Sequence, residues 1–240
     1  MSLAAAPHPD HLPLVRDELD LLTDLVPLAG QRILELGCGN ARLARALLER
    51  CADSAVVGLE VDAVQHGKNL AAPQDRLLFL AASAEAVPYP RRSFDGALML
   101  KSLHHVPIPA MDAALAEVAR VLRPGGWFYV SEPIYGGALN EIVRLYNDEG
   151  VVRAAAQAAL DRALAASKDW APVEERCFAQ VVRFADWPDF ARRMLYPSFV
   201  ELQITSAIEA RVKTAFEAQC GPEGVRFMRP MHVRLLRRKP

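Results

Sequence analysis

An apolar run, Ile33-Leu34-Glu35-Leu36, passes through the turn Gly37-Cys38-Gly39-Asn40 into Ala41–Arg50, where Leu43, Leu47 and Leu48 recur at helical spacing. A buried strand that ends in glycines and opens a helix constrains a chain strongly. The run does not alternate apolar with polar, so both of its faces are covered. Strands of that kind belong to parallel sheets, whose neighbours are joined by crossovers. The sequence supplies them. Ala55–Glu60, Leu77–Ala81, Phe94–Leu100 and Trp127–Ser131 read as further strands. Ala63–Leu70 and Met111–Val121 read as helices between them, the second closed by Arg123-Pro124-Gly125-Gly126. The expected class is α/β.

The flanks are less regular. The first ten residues read as a loose lead-in. Leu12, Val15, Leu19, Leu22 and Val26 predict a helix over His11–Val26, ended by Gly30. Beyond Pro133, Leu139–Ala166 is Ala-rich and predicted mostly helical, with a break at Gly150. Glu175–Phe184 then reads as a strand, Phe190–Tyr196 and Glu201–Cys220 as helices, and Val225–Leu236 as a last strand. The aromatic set Tyr146, Trp170, Phe178, Trp187, Phe190, Tyr196 and Phe199 is expected mainly in the core of these elements.

Composition removes several classes. In 240 residues, 52% are hydrophobic and 24% charged, which excludes a disordered chain, a collagen and a disulfide miniprotein. With 28 Lys and Arg against 29 Asp and Glu, the net charge of −1 speaks against a chain-wide grip on nucleic acid or anionic lipid. A local patch stays possible: Arg226, Arg229, Arg234, Arg237, Arg238 and Lys239 either face RNA or solvate a terminal strand. Cysteines 38, 51, 177 and 220 form no C-x-x-C pair and read as reduced thiols. No secretory signal and no membrane span is legible, so the expected location is cytoplasmic. His8, Asp10 and His11 lack a second ligand cluster, and no metal is expected.

Two carboxylates frame the glycine turn. Glu35 precedes it, and Glu60 closes the next strand 21 residues beyond Gly39, where an acid can accept both hydroxyls of a ribose. A dinucleotide site would need Gly or Ala at the sixth position from Gly37, and that position is Arg42. A nicotinamide-dependent oxidoreductase is therefore a poor fit.

Four segments in register point elsewhere. Ile33-Leu34-Glu35-Leu36-Gly37-Cys38-Gly39-Asn40-Ala41 resembles the first motif of the class I S-adenosylmethionine-dependent methyltransferases. Val57-Gly58-Leu59-Glu60-Val61-Asp62 resembles their second motif. Ser83–Tyr89 with Ser93-Phe94-Asp95 resembles the third, and Glu117–Gly126 resembles the turn before strand five. The resemblance covers roughly residues 31 to 133. It implies a doubly wound, mostly parallel, seven-stranded Rossmann-like sheet with helices on both faces and a helical insertion between strands five and six. It further implies an N-terminal helical cover (1–30), a cofactor-binding domain (31–240), and a substrate cover within it at about 138–172.

The resemblance also assigns roles. Glu35, Gly37, Cys38, Gly39 and Asn40 would hold the methionine end of S-adenosylmethionine. Glu60 would take the ribose and Val61 the adenine face. Ser83, Ala84 and Glu85 would lie at the adenine edge, and the strand end Leu100, Lys101 and Ser102 near the amino acid moiety and the methyl group. Two positions depart from the pattern. Ala41 stands for the third glycine, and Ser83 for the usual adenine-binding Asp. The implied reaction is methyl transfer to a small molecule by a monomer or homodimer. An RNA (tRNA) methyltransferase and a non-catalytic S-adenosylmethionine-binding protein are the alternatives. The family dictates no catalytic residue. His104 and His105 are candidate bases, and Tyr135 either lines a substrate pocket or packs on the next helix. Cys38 is expected to be a small turn residue and not a nucleophile.

Overall fold

Strand β2 (Arg32–Leu36) lies between β3 (Ala55–Leu59) and β5 (Phe94–Leu100), hydrogen-bonded in parallel to both. Its last four residues, Glu35 among them, are buried, as expected of a strand covered on both faces. The computed structural model describes residues 11–166, 168–197 and 202–240. The remaining elements are β1 (Leu14–Val15), α1 (Glu18–Leu25), α2 (Arg42–Arg50), α3 (Ala63–Leu70), β4 (Leu77–Leu80), α4 (Met111–Val121), β6 (Leu122–Pro133), α5 (Ala138–Val143), α6 (Gly150–Ala166), β7 (Trp170–Phe184), α7 (Trp187–Phe190), α8 (Ser206–Glu217) and β8 (Val225–Arg238).

The chain divides into two compact units. The larger comprises 17–132, 154–176 and 233–240; the described residues of the smaller fall in 11–16, 133–153 and 177–232. In the larger unit the strand order is β7-β8-β6-β5-β2-β3-β4, and each of its four ladders among β2 to β6 is parallel. One apolar core joins Leu34, Leu36, Val57, Phe94, Met99, Leu115, Val118 and Phe128 to Leu160, Trp170 and Leu236. In the smaller unit β1 pairs in parallel with β7, Leu14 opposite Ala179. Its core gathers Phe184, Phe190, Phe216 and Phe227, with the Phe190 and Phe216 rings 4.6 Å apart.

The α/β class and the seven expected strands are present, and several boundaries differ. An eighth strand, Leu14–Val15, takes the first part of the expected helix His11–Val26. Asp17 explains the change. Its extended backbone and its side chain, which accepts the Leu19 N–H at 3.0 Å, begin α1 at Glu18. The helical stretch expected over Leu139–Ala166 is present as two helices, α5 and α6, and ends at Ala166 as expected, short of the 172 implied for the substrate cover. Asp148 makes the break, its carboxylate accepting the Gly150 N–H at 3.0 Å. The helix expected at Phe190–Tyr196 is α7 followed by one π turn, Ala191–Leu195. The helix expected at Glu201–Cys220 runs over Ser206–Glu217, capped by Thr205. Glu201, Phe199, His8 and Asp10 lie outside the described residues. Trp170, Phe178 and Phe190 are core residues, whereas Tyr196 is exposed.

The Arg123-Pro124-Gly125-Gly126 turn is a bulge inside β6. Phe94 pairs with Leu122 and Gly96 with Trp127, so regular pairing resumes at Trp127. Gly96 is needed there. A Cβ on it would sit 2.1 Å from the fully buried Trp127 ring. The ring has no room to yield, so Gly96→Ala is expected to lower unfolding stability by about 3 kcal/mol, measured by urea titration.

Candidate functional site

The strand order in the larger unit reverses at β2. The chain runs outward through β3 and β4, then returns to lay β5 on the other side of β2. Carboxyl ends of strands part at such a switch point and leave a crevice. Gly37 follows β2 there. Its φ is +64°, and a Cβ would fall 2.7 Å from the Ser102 Cβ, so conformation and space both demand glycine. The Ser102 hydroxyl donates to the Leu36 carbonyl at 2.9 Å, tying the ends of β2 and β5. On the other side the Cys38 N–H donates to the Leu59 carbonyl at 2.9 Å, and the Gly39 N–H to Glu60 Oε2 at 2.8 Å. The second Glu60 oxygen accepts the Asp62 N–H at 2.9 Å. Asn69, buried in α3, donates to the Gly39 carbonyl at 2.7 Å.

The turn thus holds its shape through partners at the ends of two neighbouring strands and on a helix. Cys38 packs inside it. Burial, with the negative charges of Glu35 and Glu60, pushes its thiol up, away from a reactive thiolate. Ala41 ends the turn at φ +54°, a left-handed position rare for a residue with a side chain.

Glu35 is 4% exposed, and its Oε2 has no hydrogen-bond partner among the described residues. Burial pushes its carboxyl up to about 8, against the pull of the Lys101 and Arg42 charges. Lys101 also has a left-handed backbone, φ +56°, and its N–H donates to the Ser131 carbonyl at 2.7 Å. Its ammonium lies 3.5 Å from Glu18, a buried carboxylate that also accepts the Tyr129 hydroxyl at 3.2 Å. Lys101 is therefore ion-paired. It balances two buried acids.

The 3-10 turn Leu103–His105 follows β5. Glu132, 1% exposed near the end of β6, accepts the Ser102 N–H at 3.1 Å and the Leu103 N–H at 2.9 Å. Its other oxygen engages His104 Nδ1. His104 is buried, and its ring lies 4.1 Å from that of the exposed His105.

The structure brings most of the predicted residues together. Glu35, Gly37, Cys38, Gly39, Asn40, Glu60, Leu100 and Lys101 sit on joined strand ends. Val61 follows Glu60 and is 71% exposed, an apolar side chain turned outward. Ser83, Ala84 and Glu85 lie on the loop after β4, whose Leu80 carbonyl accepts the Glu60 N–H at 3.1 Å. Tyr135 belongs to the smaller unit. Its hydroxyl donates to Asp148 at 2.8 Å, and that bond raises the phenol above its usual range, the wrong direction for a base. Sequence reasoning missed Glu18 and Asn69. The signal for Glu18 was an acid on the apolar stripe that carries Leu19 and Leu22.

With this geometry in hand, comparison with known proteins is direct. The profile of the methyltransferase-domain family matches residues 34–130. A 27-O-demethylrifamycin SV methyltransferase of Amycolatopsis mediterranei is 38% identical over 113 residues, which are 45% of this chain and 40% of that protein. A ubiquinone biosynthesis O-methyltransferase of Paracidovorax citrulli is 36% identical over 120 residues, 47% of this chain and 48% of that one. The chain thus spans less than half the length of these relatives. In fold, the chain resembles the crystal structure of the YcgJ protein of Bacillus subtilis, with a TM-score of 0.64 and 17% identity over 92% of this chain and 98% of that one. No described helix is long and apolar enough to cross a membrane.

Ala41 at the end of the glycine turn allows a quantitative check. Its left-handed backbone is strained by about 1–2 kcal/mol. A glycine would relieve that but lose a buried methyl, roughly 0.8 kcal/mol, and gain freedom in the unfolded chain. The terms nearly cancel. Ala41→Gly is expected to leave stability within about 1 kcal/mol of the parent. Ala41→Val, β-branched and larger in a fully buried position, is expected to lower it by about 2–3 kcal/mol. Paired thermal and urea unfolding of the two variants measures both.

Proposed function

We propose that this chain transfers a methyl group from S-adenosylmethionine to a hydroxyl oxygen of a small molecule. The observation that carries the cofactor assignment is the glycine turn flanked by two buried carboxylates, one of them with an orphaned oxygen. Glu35 Oε2 is a buried acceptor that suits a cationic ligand group. Glu60 spends one lone pair of each oxygen on the backbone and keeps others for a vicinal diol. Val61 offers an apolar surface to a purine, and the backbone of Gly37–Asn40 lets a ligand approach closely. When bound, the cofactor supplies an electrophilic methyl group on its sulfonium.

The chain's part is to place the acceptor and take its proton. An oxygen nucleophile needs a base, and the relative from Paracidovorax citrulli is named as an O-methyltransferase. His104 fits that role. Glu132 holds Nδ1–H, which fixes the ring and leaves Nε2 as the basic atom. Glu132 is a positioning residue, since it also fixes the two preceding peptide N–H groups. The acceptor is taken as a small molecule because the basic residues of β8 are largely used within the larger unit. Arg234 pairs with Asp161 and Arg238 with Asp169, and Arg237 donates to the Gly125 carbonyl.

The test is transfer of a labelled methyl group to a panel of small phenols and alcohols, with tRNA as a parallel acceptor. Small-molecule product is expected, and labelled tRNA alone would sink the reading. His104→Ala is expected to lower kcat by about 10²–10⁴-fold with S-adenosylhomocysteine affinity unchanged. Glu132→Gln, which opposes an amide N–H to Nδ1–H, is expected to shift the pH profile of kcat as well as lower it.

Glu35 generates a second prediction. In the free protein its carboxyl is largely protonated below its pKa of about 8. A bound cation favours the carboxylate, so binding expels a proton. S-adenosylmethionine affinity should therefore rise with pH, by at most about tenfold per unit, and level off above about pH 8. Glu35→Gln should flatten that dependence. Calorimetry in two buffers of different ionisation enthalpy reads the released proton directly, and no proton release would refute the assignment.

A further inference from the structure

Glu18 is an acid where packing alone would put an apolar side chain. It opens α1, beside Leu19 and Leu22, and it is fully buried. A carboxylate in that position is unfavourable unless a cation comes with it. Two holds from β6 assemble the pair. The Tyr129 hydroxyl donates to Glu18 Oε1 at 3.2 Å, and the Ser131 carbonyl accepts the Lys101 N–H at 2.7 Å. Lys101 adopts a left-handed backbone there, φ +56°, which a residue with a side chain keeps only under constraint. Its ammonium lies 3.5 Å from Glu18 Oε2, an oxygen that takes no hydrogen bond among the described residues. The lysine charge is what balances it.

Glu35 lies across β5 from this pair, on β2. The groups that act on it come from several elements. Lys101 follows β5, Arg42 and the Ala44 N–H open α2, Glu18 is on α1, and the Cys38 thiol is in the turn. Arg42 is exposed, so water and salt screen it. The Cys38 thiol is pushed up and stays neutral, and Glu18 repels a charge on Glu35. Lys101, with a third of its side chain exposed, is therefore the cation whose position decides the state of Glu35. With that lysine engaged by Glu18, Glu35 keeps an unpartnered Oε2.

We propose that Glu18 is a positioning residue: by holding the Lys101 ammonium, it keeps Glu35 open for the ammonium of a bound ligand. The inference deepens the reading of Glu35 as an acceptor for the cationic end of S-adenosylmethionine, and rests on it. The argument is one of competition. A lysine set against Glu35 forms an internal pair, which an incoming amine has to break. A lysine held by Glu18 leaves an acid that carries a proton while the site is empty and exchanges it for the ligand's ammonium. The helix α1 thereby sets the charge state of a site built on β2.

The test is the titration of Glu35 in the ligand-free full chain, followed by carboxyl NMR with labelled glutamate and assigned through Glu35→Gln. The parent, Glu18→Gln and the double variant Glu18→Gln with Lys101→Met are compared. Glu18→Gln keeps the side chain's shape and an acceptor for Tyr129, and a dispersed amide spectrum shows that each variant is folded. Glu18→Gln is expected to lower the Glu35 midpoint by at least about one pH unit, as Lys101 moves across, and the double variant to restore it. An unmoved midpoint in Glu18→Gln overturns the proposal. So does a midpoint that stays low in the double variant, since loss of the Glu18 charge and not movement of Lys101 would then be the cause. Calorimetry with S-adenosylhomocysteine at pH 7, in two buffers, gives a second readout. With Glu35 titrating at about 8, the parent is expected to release about 0.9 proton on binding, and Glu18→Gln about half of one or less. Equal release by the two overturns the proposal. No release by the parent refutes the assignment of Glu35 to the ligand's ammonium, and the NMR midpoints still decide whether Glu18 controls Lys101.

Discussion

The hydrogen bond from the Ser102 hydroxyl to the Leu36 carbonyl exists because Gly37 has no side chain. It draws together two strand ends that the topology separates at the switch point. Everything placed on those ends inherits its position from this approach: Glu35 and the glycine turn on one side, Lys101 and the His104 turn on the other. The neighbouring contact, Gly39 N–H to Glu60, repeats the device across β3. In both cases a backbone group freed by glycine meets a side chain from an adjacent strand. The site is therefore a property of strand ends and does not hang on a long loop.

Its electrostatics follow from the same crowding. Glu18, Glu35, Glu60 and Glu132 are all buried, and each is handled differently. Glu60 and Glu132 are stabilised as acceptors by two backbone N–H groups apiece. Glu18 has Tyr129 and Lys101. Glu35 is left with one unpartnered oxygen, and its carboxyl rises toward neutrality. Desolvation costs more than a single partly exposed lysine returns. The acid that precedes the glycine turn is thus the one tuned to respond to an incoming charge.

Legibility followed how local the cause was. β2, α3, β5 and α4 were read to the residue or nearly so, because apolar periodicity and short-range caps decide them. The candidate cofactor residues were legible because they cluster on short motifs at strand ends. Leu14–Val15 was misread as helix, since Leu12, Val15 and Leu19 satisfy helical spacing while only pairing with Ala179 and Gln180 far along the chain makes them extended. The roles of Asn69, Ser102 and Glu132 were out of reach for the same reason. Each is a polar residue defined by a partner about 30 or more positions away. Ala41 was read as a mild replacement for glycine, and only the backbone dihedral shows what it must tolerate.

The larger unit is discontinuous in sequence, and that has a consequence for how the chain is made. Its core includes Trp170 and Leu236, and β6 takes β8 as a neighbour, although the strands that carry the site are complete by residue 132. A ribosome adding roughly 5–20 residues per second would deliver residues 233–240 several seconds after β6 emerges. Through that interval a buried parallel strand presents an open edge to the cell. The nascent chain is thus most exposed to mispairing when its cofactor motifs are already synthesised, and a chaperone that covers strand edges would act in that window.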